Sequence, residues 1–103
     1  MGALVMGMFS EEAKVAVFGK QIAVSASMGL TGKMTVKLYI DGSLVDSASG
    51  LTFSKGAAVA RGRIEHDGRV YVVEVYPTET LIGAFWGQHY VIAVDGHVLA
   101  KTG

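Results

Sequence analysis

The sequence predicts an all-β domain, an antiparallel β-sandwich of about eight short strands built from hairpins, with a closed up-and-down β-barrel as the alternative. Three observations carry this. Asp-Gly recurs between alternating runs, in KLYIDGSLVD (37–46), IEHDGRVYVV (64–73) and YVIAVDGHVL (90–99). A two-residue type I′ loop needs positive φ at both central residues, which Gly accepts for want of a Cβ and Asp tolerates. A fourth loop is expected at Gly19-Lys20, with Gly first as a type II′ turn prefers. Hairpins then fall near 13–27, 34–48, 59–76 and 86–102.

The registers that these loops impose are the third observation, because cross-strand partners must share a face. Around Asp41-Gly42, Ile40 should face Ser43, Leu38 Val45 and Val36 Ser47, with Lys37 opposite Asp46 on the other side. Around Asp67-Gly68, Ile64 should face Tyr71 and Gly62 Val73, while Arg61 meets Glu74 and Glu65 meets Val70. Around Gly19-Lys20, Val17 should face Ile22 and Val15 Val24. Each hairpin is apolar on one side. Around Asp95-Gly96, however, Ile92 should face Leu99 and Tyr90 Lys101, while Val91 faces Ala100 and Ala93 faces Val98. Both faces of that last hairpin are apolar, and an antiparallel sheet with one wet face should carry charge there.

The remaining elements are quieter. SEEAKVAV (10–17) offers Ser10 as a helix N-cap, but its β-branched end competes for strand. Pro77 closes the strand VYVVEVY. SMGLTGKMTV (27–36) and SGLTFSKGAAV (49–59) echo each other as Gly- and Thr-centred connections. A sandwich is preferred because such Gly-rich stretches suit a crossing between sheets.

The runs GKMTVKLYIDGSLVD, TFSKGAAVARGRIEHDG and VYVVEVY resemble the β-sandwich domain of the Fas apoptotic inhibitory molecule family, over about half of the chain. The resemblance implies a sandwich and carries over no site residues. The closing GQHYVIAVDGHVLA hairpin departs from that pattern.

Composition narrows function. The 103 residues make a single domain, 1–103, with 1–12 holding an apolar N-terminal segment. Nine Lys/Arg balance nine Asp/Glu, so no nucleic-acid or membrane-surface footprint is visible. The start lacks a basic n-region and no stretch is long enough to span a membrane as a helix, so a cytoplasmic location is expected. With no cysteine, thiolate catalysis and Cys-ligated zinc are excluded, and the scattered His66, His89 and His97 suggest no metal. Each Asp-Gly has too few oxygen ligands for a calcium loop. No Gly-x-Ser-x-Gly, phosphate cradle or carboxylate pair assigns a catalytic residue, and no cofactor is expected.

The expectation is therefore a non-catalytic binding or protein-interaction module, self-associating, most simply as a dimer. An apolar-ligand-carrying barrel and a small cofactor-free enzyme are the alternatives. Phe85, Trp86, His89 and Tyr90 are the candidate ligand-binding residues, an aromatic strand entry around one His. Trp86, Val91, Ala93, Val98 and Ala100 are the candidate interface, because something must cover the second apolar face: the N-terminal segment ALVMGMF or a second copy. The partner is a protein or an apolar small molecule.

Overall fold

Eight strands form between the turns: β1 (Phe9–Val17), β2 (Lys20–Met28), β3 (Met34–Ile40), β4 (Ser43–Gly50), β5 (Ala60–His66), β6 (Arg69–Pro77), β7 (Tyr90–Val94) and β8 (His97–Lys101). The computed structural model describes residues 9–51, 53–54, 56–78 and 89–102. Two antiparallel sheets, β1-β2-β3-β4 and β5-β6-β7-β8, each follow chain order. No ladder joins β4 to β5 or β1 to β8, so the fold is a sandwich and not the closed barrel. The segment SEEAKVAV lies within β1 and not in a helix. No helix among the described residues is long and apolar enough to cross a membrane.

All four hairpin tips are type I′. Asp41, Asp67 and Asp95 have φ of 51°, 52° and 48°, and Gly42, Gly68 and Gly96 follow at 81°, 75° and 83°. The first tip is Phe18-Gly19, at 52° and 76°, and not Gly19-Lys20. This moves the β1–β2 register by two residues: Val15 pairs with Ile22 and Ala13 with Val24. Because the side-chain period is two, every residue keeps its expected face. Phe18 takes the place that Asp fills elsewhere, and left-handed backbone costs a bulky residue about 1–2 kcal/mol.

The third hairpin pairs as its turn dictates, from Arg61–Glu74 to Glu65–Val70. The second and fourth do not. Ser43 and Leu44 keep register, Val45 is extra, and Asp46 then lands opposite Leu38, so the expected Lys37–Asp46 pair is replaced by Lys37–Ser47. His97 and Val98 likewise keep register, Leu99 is extra, and Ala100 lands opposite Ile92. A β-bulge of this kind bends the strand and raises its twist. The two sheets share more than the bulge. Asp41 Oδ1 accepts from Gln21 N at 2.8 Å and Asp95 Oδ1 from Val72 N at 2.9 Å. The return bonds run from Asp41 N to Gln21 O and from Asp95 N to Val72 O. Each sheet is thus one four-stranded meander with the same second hairpin.

The core lies between the sheets. Ile22, Val24, Val36 and Leu38 of the first sheet and Val73, Val75, Tyr90 and Ile92 of the second are fully buried. Each such aliphatic side chain contributes about 1.5–3 kcal/mol. At the β4/β5 seam the sheets close tightly. A Cβ added to Gly62 would stand 3.1 Å from both Ile40 Cδ1 and Val45 Cγ2. Asp46, displaced from Lys37 by the bulge, instead accepts from Arg61 N at 2.9 Å, also taking Ser47 N at 2.9 Å.

Candidate functional site

The β1/β8 seam differs, and it holds both polar clusters of interest. At its far end β1 carries Glu11 toward the residue before β7. His89 Nδ1 lies 2.8 Å from Glu11 Oε1, tying the two sheets together. Thr78 fixes that stretch, donating to His89 O from its backbone N at 2.8 Å and its hydroxyl at 3.1 Å. Tyr90, next in sequence, points inward and is fully buried. Its backbone N donates to Thr102 Oγ1 at 2.9 Å, and Thr102 N returns to Tyr90 O at 2.8 Å. The Tyr90 hydroxyl has no hydrogen-bond partner among the described residues. Burial pushes its pKa up to about 12, and the nearby Glu11 carboxylate adds to the rise. Its ring meets Phe53 edge-on at 6.2 Å. Tyr90 is therefore a core residue with a stranded hydroxyl, and His89 is a cross-sheet tie. Phe85 and Trp86 lie outside the described residues.

The near end of the seam is open. A cleft of about 990 Å³ lies among the hairpin tips, lined by the apolar Val17, Phe18, Tyr71, Val94 and Leu99 and by the polar Arg69, Glu74, Asp95 and His97. Its aromatic shelf comes from two sheets. Phe18 stacks flat on His66, with centroids 4.2 Å apart and planes 3° from parallel, and tilts against Tyr71 at 4.7 Å. Offset and tilted ring pairs add about 0.5–1.5 kcal/mol beyond burial, a gain of the size needed to hold Phe18 left-handed. Arg69 lays its guanidinium 4.7 Å over the Tyr71 ring. Its Nη2 donates to Asp95 Oδ2 at 3.1 Å.

The carboxylates of this cleft are already engaged. Asp95 takes Arg69 on one oxygen and Val72 N on the other. Glu74 accepts from Arg61 Nε at 3.0 Å and from the Tyr76 hydroxyl at 2.8 Å. That second bond, which Tyr76 gives to a carboxylate, raises the phenol's pKa. Arg69 keeps free donors, with its side chain 67% exposed, and His97 is an exposed imidazole. Among the described residues no three His, Asp or Glu converge as metal ligands.

The expected interface residues separate. Ala93 is only 2% exposed and Val91 is half-buried, whereas Val98 is 62% exposed. The Leu99 bulge turns Ala100 to the inner face opposite Ile92 and sets Lys101 opposite Val91. The outer face of this hairpin thus carries a charge that the unbulged register hid. What the sequence reading missed is the cleft. Its residues sit on three hairpin tips, and the one available signal was Phe18, an aromatic where the other tips have Asp. No family model, curated protein or solved structure matches this chain.

Proposed function

We propose that this protein is a small-molecule binding module whose site is the open end of the β1/β8 seam. The observation that carries the reading is the cleft of about 990 Å³, at the upper end of the roughly 300–1,000 Å³ of ordinary ligand sites. A strained, 45%-exposed Phe18 forms part of its wall. A ring held at left-handed φ by its neighbours is the kind of local cost that collects at functional sites. The lining combines an apolar majority with a few polar side chains, which suits orientation of a bound molecule. The test is the fluorescence of Nile red, a neutral apolar dye, with the folded protein. An increase that is lost in Leu99→Glu supports the reading, and no increase at millimolar protein rejects it.

A second reading, self-association, draws on Val98 together with Val70 and Val72, which are 48% and 40% exposed. Light scattering that gives the monomer mass at every concentration rejects it.

A further inference from the structure

The geometry points to an organic carboxylate with an apolar body as the ligand class of the cleft, an inference that rests on the binding reading above. Two independent features agree. The wall formed by Val17, Phe18, Tyr71, Val94 and Leu99 offers apolar surface and a ring face. The lining has an unequal supply of polar groups. Both oxygens of Asp95 and both of Glu74 are occupied by donors within the protein. Arg69 commits one N–H of Nη2, so the second Nη2 hydrogen and those of Nε and Nη1 remain, and His97 has no hydrogen-bond partner among the described residues.

Each of those carboxylate oxygens accepts one hydrogen bond and each carboxylate already faces an arginine, whereas Arg69 has one N–H engaged and the rest free. A cationic ligand would find its counter-charges taken. A neutral apolar ligand would leave the Arg69 donors, 67% exposed, to water and would draw nothing from them. A carboxylate satisfies them. Tyr71 lies against the guanidinium face and Asp95 takes one Nη2 hydrogen, so the group is held in orientation with its second Nη2 hydrogen and a neighbouring N–H free for a bidentate acceptor. The apolar body then lies along the Phe18 and Leu99 wall.

The experiment is a two-dimensional amide NMR titration of the whole chain with decanoate below its micelle concentration, with decanol and acetate in parallel. Decanoate is expected to shift the amides of Arg69–Val72 and Val94–Leu99, with decanol and acetate each at least tenfold weaker. Arg69→Gln should weaken decanoate on the order of tenfold, the loss of one charge-assisted contact, and leave decanol unchanged. Retained decanol binding shows that the variant is folded. His97→Gln is the second variant, with a smaller loss in the same direction. Decanol binding as tightly as decanoate at these amides overturns the carboxylate inference and leaves the cleft intact. Acetate matching decanoate overturns it in favour of a bare anion site. Shifts elsewhere, or none with any of the three, overturn both the inference and the binding reading.

Discussion

The two seams of the sandwich are built from corresponding pieces and end in opposite states. A row Val15–Ile22–Ile40 crosses β1-β2-β3, and a row Gly62–Val73–Val94 crosses β5-β6-β7. On the edge strand opposite each seam stands a bulged residue, Val45 for the first sheet and Leu99 for the second. Gly62 lets Val45 pack to within contact distance, and that seam closes. Where Gly62 stands in one sheet, the other carries Val15, and the larger Leu99 replaces Val45. The β1/β8 seam is tied by Glu11 and His89 at one end and open at the other. The seam with glycine and valine at these matching positions is closed, and the one with valine and leucine is open at one end.

Gly62→Val should break the closed seam most severely. Its Cβ alone would press on Ile40, Val45 and Leu38, and overpacking of this kind costs about 1–3 kcal/mol. Val15→Ala, at the matching half-buried position, should cost about 1 kcal/mol. Urea denaturation of both variants checks the order, and equal losses would remove the asymmetry.

Tyr90→Phe tests the tied end of the open seam. Removing a buried hydroxyl that bonds nothing among the described residues should stabilise the protein by about 1–3 kcal/mol. It should also alter the alkaline limb. The phenol's folded pKa of about 12 exceeds the ordinary 10, so the unfolded chain loses this proton first. The parent's stability from this group is complete below pH 10 and falls as pH rises toward 12. A urea series across that range should show a shallower fall for Tyr90→Phe than for the parent.

Asp46→Ala removes the acceptor of Arg61 N at the closed seam and should cost about 1 kcal/mol by the same measurement. The smallest change in stability is expected for Phe18→Asn, which relieves left-handed strain and loses ring contacts of similar size. A net effect within about 1 kcal/mol is expected, with Nile red binding weakened. A loss much larger than that would make Phe18 a structural clasp and not a wall of the site.

The sandwich and its third hairpin were legible because Asp-Gly fixes φ locally and the alternation of faces follows from it. The bulges at Val45 and Leu99 were not, since SLVD and HVLA read as unbroken strand. What places the extra residue is outside each hairpin, in the reach of Asp46 to β5 and of Asp41 and Asp95 to the neighbouring strands. The first tip misled for a different reason: Gly at the head of Gly19-Lys20 fits a type II′ rule, and only the meeting with His66 and Tyr71 makes a left-handed Phe18 tolerable. The candidate site suffered most, because three tips distant in sequence form it.

The same bulges bear on how the protein meets its own kind. A sheet that ends in a straight, unpaired strand is a template on which another chain can add. Among the described residues there are four such ends, and none is a clean template. β4 and β8 are each kinked at their third residue by the bulge, which breaks the straight run of edge groups. β1 carries Glu11, Glu12 and Lys14, and β5 carries Arg61, Arg63 and Glu65, charges that oppose stacking of like edges. Bulges and edge charges of this kind blunt a sheet edge against ribbon extension.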